Sequence, residues 1–352
     1  MVTVLALGLA ARHLRPEVGL WPQAAALAVP ALTVGAASAG VWWAVRAARP
    51  PRRNRVAWAA AVVHLGLASV GLLREVGGRA PGADGPALTV LSLNVGQAPA
   101  TAPGRLGEVL RDADPDVIGL QETQIRTVLV PEAPGGMVVA TNPAVQPLLL
   151  YSEYETVLPP EPRRVILRGP TFARLPLIDR SEALLSDGDD AGLYSRTEVE
   201  WQGRRVAIYS VHLRSYSARP WSEPGFDVRA WVEAPGRFHE DMARRAHEAE
   251  QFRQVLDAET LPYLVLGDFN STPHQWTYHH IAKGHVDALS AAGPLLARRT
   301  FPDGVPLVRI DGVLASPHWR VRSARVAPEG LSDHRGVIVD VVLDPSADGE
   351  RP

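Results

Sequence analysis

From Leu20 to Val45 the chain carries no charged residue, and at about 1.5 Å of helical rise per residue this run outspans a hydrocarbon core of about 30 Å. The run predicts a transmembrane helix. Trp21 stands at one end and Trp42 and Trp43 near the other, where amphipathic rings favour the membrane interface. A second run without formal charge, Val56 to Leu73, includes His64 and is also long enough to span. Met1 to Ala11 is apolar but too short to span, and it lacks the positive leading region of a signal peptide. It reads either as a short interfacial tail or as the remnant of a helix that starts upstream of Met1. The Gly/Pro-rich stretch Gly77–Pro86 then has the composition of a domain boundary.

Beyond that linker the period changes. Compact β-branched and leucine runs predict strands at ALTVLSLNV, DVIGLQET, MVVAT, PLLLY, LYSRTEVEW, RVAIYSVHL, YLVLGDF, VRIDGVLA and GVIVDVVL. A short helical pattern covers Arg105–Asp112. A longer one covers Phe238–Leu256, with Met242, Ala246, Ala249, Phe252 and Leu256 near one face. Many strands and few helices predict a layered sandwich of sheets with outer helices. The expected organisation is a membrane anchor of two or three helices over residues 1–76, a linker over 77–86, an α/β domain over 87–345 and a tail over 346–352.

Charge divides the chain in the same way. Nine basic and three acidic residues precede Gly85, leaving 27 basic against 35 acidic residues beyond it. The larger part therefore lacks the basic footprint of tight nucleic-acid binding. Five of the early arginines, Arg46, Arg49, Arg52, Arg53 and Arg55, crowd the segment between the two apolar runs. By the positive-inside rule this loop is cytoplasmic, and everything after about Gly77 lies on the extracytoplasmic face. With no cysteine in 352 residues, a disulfide framework, a thiolate metal site and a cysteine nucleophile are all excluded. Any metal is held by oxygen and imidazole.

Acid, amide and imidazole residues fall at the ends of the apolar strands: Asn94, Glu122, His212, Asp268, Asn270 and Asp311, with Asp333 and His334 just before the last strand. Strand ends gather at one edge of a layered fold and hold side chains rigidly. Carboxylates with an asparagine amide make an oxygen-rich site suited to Mg²⁺ or Mn²⁺. The two histidines suit hydrogen bonding to a phosphoryl group or proton delivery to a leaving oxygen. Taken singly, each has a structural alternative: Asn94 as a turn residue, Gln121 and Glu122 as a solvated pair, His212 as a half-buried histidine, Asp311 as a partner of Arg309. Gly267-Asp268-Phe269-Asn270 and Ser332-Asp333-His334 are more specific, and the ordered set more specific again.

The pieces LSLNVG, DVIGLQET, YSVHLRS, LVLGDFNSTP, RIDGVLAS and LSDHRGV, in that order from about Leu88 to Leu343, resemble the endonuclease/exonuclease/phosphatase superfamily. The resemblance implies an α/β fold, a four-layer α/β/β/α sandwich preceded here by the transmembrane helices. It also implies Glu122 as principal metal ligand, with Asn94 beside it and Asp333 near the same ion. Asp268 and Asn270 would position and activate water. His212 and His334 would bind the phosphoryl group or act as acids, and Asp311 would orient His334. The implied cofactor is Mg²⁺ (or Mn²⁺). This chain departs from the pattern at Gly96, where some nucleases of the family carry an acid. The site tyrosine of the family has two candidates, Tyr151 and Tyr154, and His212 has no evident carboxylate partner.

The resulting expectation is a membrane-anchored, divalent-metal-dependent phosphodiesterase or phosphomonoesterase with an extracytoplasmic catalytic domain. Its partners are the bilayer and a phosphate-ester substrate, either a phospholipid headgroup or a nucleic acid; no obligate protein partner is inferred. The rival is a catalytically inactive phosphate-binding or scaffold module of the same fold. Two further features stand open: the long segment Arg214–Phe238, as a lip bearing Trp221, Phe226 and Trp231 or as a packed loop, and Arg244, Arg245 and Arg253, as a guide for anionic substrate or a solvated helix face.

Overall fold

In the computed structural model, residues 1–48, 55–76, 83–96, 102–123, 125–128, 137–140, 166–167, 169–188, 191–217, 228–293 and 298–344 are described. The N-terminal region holds α1 (Val2–Ala10), α2 (Leu20–Leu27), α3 (Val29–Ala48) and α4 (Arg55–Glu75). The expected single span from Leu20 is broken: α2 and α3 meet at 75°. The reason lies at Pro30, which has no N–H to give to the Ala26 carbonyl and whose ring crowds the preceding turn, so the helix stops at Leu27 and restarts with proline in its first turn. Among the described residues α4 is long and apolar enough to cross a membrane by itself, and α2 with α3 passes the same test as a bent pair.

Helices α3 and α4 run antiparallel and close. A Cβ at Gly71 would lie 2.1 Å from Thr33 Oγ1, and one at Gly40 would lie 2.6 Å from Leu65 Cγ. Small residues at such crossings let two apolar helices touch along their backbones. The remaining faces carry exposed Val34, Trp42, Val62, Val63 and Leu73.

The strands are β1 (Leu88–Asn94), β2 (Val117–Gln121), β3 (Ile125–Val128), β4 (Met137–Ala140), β5 (Ile166–Leu167), β6 (Thr171–Ala173), β7 (Leu177–Leu184), β8 (Leu193–Trp201), β9 (Arg204–His212), β10 (Tyr263–Asp268), β11 (Val286–Asp287), β12 (Asp311–Ala315), β13 (Trp319–Val326) and β14 (Val337–Leu343). They form a five-stranded sheet in the order β13-β14-β1-β2-β6, a six-stranded sheet β11-β12-β10-β9-β8-β7, and a small sheet β4-β3-β5. The helices of this part are α5 (Ala102–Ala113), α6 (Val228–Ala258) and α7 (Trp276–Ala282), with a single turn at Ala288–Ala291.

Strand alternation sorts the core into layers. In β1, Leu88 and Val90 join Ile208, Leu264, Leu266 and Val313 between the two large sheets, while Leu91 and Leu93 turn outward under Leu106, Val109 and Leu110 of α5. On the far side Tyr209, Val211 and Val265 pack beneath Ala249, Phe252 and Leu256 of α6 and Ile281 of α7. The result is the expected α/β/β/α sandwich. Helix α6 begins ten residues earlier than its sequence pattern suggests and carries Pro235 inside it, so the segment Arg214–Phe238 is helical from Val228 onward. The run PLLLY lies outside the described residues, as do Tyr151, Tyr154, Trp221, Phe226 and the side chain of Trp231.

Candidate active site

The inner face of the sandwich is apolar in the middle and polar at one end. Following the parity of Leu88 and Val90, the same face of β1 ends in Ser92 and Asn94; after Val206 and Ile208, that of β9 ends in Ser210 and His212. Leu264 and Leu266 likewise lead to Asp268, and Val313 shares its face with Asp311. Register aligns these ends laterally: Asp268 pairs with His212 on one side and with Asp311 on the other, while Asn94 pairs with Gln121. Gln121 bridges the sheets by donating to Ser210 Oγ at 3.0 Å. Glu122, on the outward parity, is turned by a positive φ of 58°, and Asn270 likewise has φ 47°. A left-handed conformation at non-glycine residues stores strain that surrounding contacts must hold, and such positions concentrate at functional sites.

One contiguous network results. Asn94 Nδ2 donates to Glu122 Oε1 and to Asp268 Oδ2, both at 3.0 Å. His212 Nε2 lies 3.3 Å from Glu122 Oε1 and 3.7 Å from Asp268 Oδ2, so the histidine that lacked an evident carboxylate partner in sequence has two. The backbone N–H of Asn270 donates to Asp268 Oδ1 at 2.8 Å, and its amide donates to the Leu213 carbonyl at 2.8 Å. His334 Nδ1 donates to the Asp311 carboxylate at 3.0 Å, and its Nε2 stands 3.9 Å from Asp268 Oδ2. Asp311 therefore serves His334; Arg309 is taken instead by Asp287 at 2.5 and 2.8 Å. Asp333 lines the same cavity and accepts from the Ser332 hydroxyl at 3.0 Å.

Electrostatics follow from this crowding. Burial, reinforced by the neighbouring Asp311 charge, raises the Asp268 carboxyl above its usual range against the pull of His334 and His212. Burial by itself would lower His334, but the Asp311 and Asp268 carboxylates outweigh it and hold the imidazole up to about 10, so the ring carries its proton at neutral pH. Among the described residues, Asp268, Asp311 and His334 each offer a ligand atom within 4.8 Å of the others. Both His334 Nδ1 and the Asp311 carboxylate are already committed to each other, whereas the Glu122 side chain is 39% exposed. Four carboxylates and an amide around one floor, with two carboxylates sharing the Asn94 amide, fit a hard divalent cation that would relieve their mutual repulsion.

The floor opens into a cavity of about 410 Å³. Glu122, Asp268, Asn270, Asp333 and His334 line its polar side, while Asn94, His212 and Asp311 stand behind through the contacts above. All eight residues expected from the sequence are thus brought to one edge of the sandwich.

Neither reading of Arg245 foresees its buried place, and Glu248 and Leu27 were not singled out. Arg245 is buried, not a solvated arginine: it donates to the Arg214 carbonyl at 2.5 Å and the Asn270 carbonyl at 2.6 Å, and lies over the Tyr216 ring. Glu248, also buried, accepts from the backbone N–H groups of Gly192 and Arg214. A sequence signal existed, since Arg245 and Glu248 lie four positions before Ala249 and Phe252 on the buried face. Arg244 is exposed, and Arg253 pairs with Asp257. Leu27, from α2, lines the cavity as well.

The model of the endonuclease/exonuclease/phosphatase family matches residues 91–334. No curated relative matches the sequence. Among solved structures, the chain is similar to D. rerio TDP2 complexed with a single-strand DNA product, at 15% identity and TM-score 0.50, over 73% of this chain and 100% of that one. A family protein from Leptotrichia buccalis aligns at 14% identity and TM-score 0.50 over the same shares. The mannosyl-6-phosphatase Bt3783 of Bacteroides thetaiotaomicron aligns at 16% identity and TM-score 0.47, over 73% and 100%.

Proposed function

Because the chain belongs to the endonuclease/exonuclease/phosphatase family, we propose that it is a membrane-anchored, divalent-metal-dependent phosphoesterase that hydrolyses a phosphodiester or phosphomonoester by in-line attack of water. The observation that carries this reading is the network from Glu122 through Asn94 and Asp268 to His334 and Asp311, of which Glu122, Asp268 and His334 line one cavity. Glu122, Asn94 and Asp333 are the residues that would hold Mg²⁺ (or Mn²⁺). When bound, the ion supplies charge neutralisation for the phosphoryl oxygens and the leaving oxygen.

The protein's own groups account for the proton movements. Asp268, held by the Asn270 backbone N–H and raised by burial, takes a proton from the attacking water. His212 donates a hydrogen bond to a phosphoryl oxygen, and His334, kept protonated by Asp311, does the same from the opposite side or protonates the leaving alkoxide. The water oxygen bonds to phosphorus as the bond from phosphorus to the ester oxygen breaks, leaving an alcohol and a phosphate with one ester bond fewer.

Membrane anchoring rests on α4 and on the bent pair α2–α3, and the arginine cluster between them supports an extracytoplasmic catalytic domain. The test is hydrolysis by the full chain in detergent or nanodiscs, with Mg²⁺, Mn²⁺ or chelator, of a phospholipid, a phosphomonoester and a single-stranded oligonucleotide. Metal-dependent release of alcohol supports the reading; intact substrates throughout, from a folded protein that binds Mg²⁺, would favour the inactive binding module. A reporter fused after Leu343 should register an extracytoplasmic environment, and a cytoplasmic signal would overturn that orientation.

A further inference from the structure

The active-site cavity is built partly from the N-terminal helices. Leu27, the last residue of α2, forms its wall together with Phe301, Pro302, Leu307, Val308 and Ile310. A smaller adjoining cavity of about 30 Å³ shares Leu27, Leu307 and Val308 and extends to Pro30 in the first turn of α3. An apolar crevice between Leu27 and Phe301–Val308 thus adjoins the polar floor, and the smaller cavity beyond it, lined also by Glu75, His274, Arg299 and Arg309, reaches the bend between α2 and α3. On its wall Leu307 is 59% exposed.

The attachment that shapes this crevice is specific. Glu75, at the end of α4, meets His274 at 2.6 Å with both side chains buried. Gln23 of α2 accepts from Gln275 through its carbonyl and from the Trp276 backbone N–H through its side chain, both at 3.3 Å. Arg15 pairs with Glu250 at 2.9 Å. The loop that follows Asp268 and carries Asn270 therefore continues directly into the seat of the helices. In the antiparallel α3–α4 pair, Val29 and Glu75 lie at this seat, whereas Ala48 and Arg55 lie at the opposite end, beside the arginine cluster. A helix of 21 residues is about 31 Å long, the thickness of a hydrocarbon core, so with α4 across a bilayer the cavity mouth would stand where the membrane meets water.

Building on the phosphoesterase reading, we infer that the substrate is an amphiphilic phosphoester drawn from the bilayer, its phosphate on the polar floor and its apolar chain in the crevice between Leu27 and the segment Phe301–Val308. The lining chemistry selects against a nucleic acid. Among the described residues no arginine or lysine lines the large cavity, and tracking a polyanion requires clustered basic groups. Arg299 and Arg309 line only the smaller cavity, and Arg309 is committed to Asp287.

The test uses the full chain in nanodiscs and two phosphonates that cannot be hydrolysed, one long-chain alkyl and one short-chain, alongside a single-stranded oligonucleotide. The long-chain phosphonate should bind at least about tenfold more tightly than the short one, and Leu27→Gln should remove most of that ratio. Leu307→Gln, at an exposed position that folding tolerates, should reduce the ratio in the same direction, whereas Leu184→Gln on exposed β7 should not. Equal affinity for the two phosphonates, a ratio unmoved by both cavity variants, or preference for the oligonucleotide would overturn the inference. Hydrolysis of the matching long- and short-chain esters is measured in parallel. Chain-length-dependent binding without metal-dependent hydrolysis would overturn the phosphoesterase reading while leaving the amphiphile site standing.

Discussion

A Cβ added at Gly96 would lie 2.2 Å from Oε2 of Glu122 and 2.9 Å from its Cδ. Gly96 also donates its backbone N–H to Asn94 Oδ1 at 2.9 Å, so the absence of a side chain there lets Asn94 and Glu122 share one space. The position at which some family nucleases carry an acid is here the hollow that receives the glutamate.

Gly96→Ala should therefore displace the Glu122 carboxylate with little effect on the core, since that carboxylate is partly exposed. A shift of the order of 1 Å at such a group costs about 10²-fold in rate. The expected outcome is a fall of that size in kcat/KM with a weakened Mg²⁺ titration and a nearly unchanged Tm. Wild-type kinetics in this variant would remove Glu122 from the proposed metal site.

Asp311 and His334 act as one unit if Asp311 works only by holding His334 at 3.0 Å and keeping it protonated. Asp311→Asn and His334→Ala should each lower kcat by about 10²–10⁴-fold, and the double variant should be scarcely worse than His334→Ala alone. Additive losses would show that Asp311 has a separate task, such as direct metal ligation in the cluster it forms with Asp268.

Much of this was legible because alternation does two jobs in the same strands. The parity that buries Leu264 and Leu266 also delivers Asp268 to the space between the sheets, so the core pattern predicts where the acid points. Asn94, His212 and Asp311 follow by the same rule. Glu122 does not: its parity is outward, and only a left-handed backbone turns it to the site, a feature that composition does not encode at a glutamate. The break before Pro30 was written in the sequence but hidden by the absence of charge in the run around it. The seating of the helices was not legible at all, because Glu75 and His274 lie 199 residues apart and neither has a local pattern that names the other.

Acid stability should depend on His285. Burial, with a smaller contribution from Arg253, lowers its imidazole to about 4, and its Nε2 lies 2.7 Å from the Tyr263 hydroxyl. The folded protein thus resists protonation that the unfolded chain accepts near pH 6.5. The contribution to stability is complete above about pH 6.5 and is lost as pH falls toward 4, by up to about 3 kcal/mol. Unfolding midpoints of His285→Phe, followed between those pH values, should decline less steeply than those of the wild type. Parallel declines would place the acid sensitivity elsewhere.

The joint between Glu75 and His274 carries the last prediction. Two polar side chains exposed by only 4% and 6% meet at 2.6 Å, where the end of α4 reaches the segment that follows Asn270. Removing one partner from a buried pair leaves the other without its hydrogen bond in a place water does not reach, which costs about 3–5 kcal/mol when the pair is ionic. Glu75→Ala should therefore lower the Tm of the full chain in detergent and raise KM for a membrane-resident ester more than it lowers kcat, because the seat of Leu27 loosens while the floor residues keep their own bonds. Glu75→Gln, which retains an acceptor for His274, should recover most of both losses. If Glu75→Ala left Tm and KM unchanged, the helices would be a tether and not a wall of the active site.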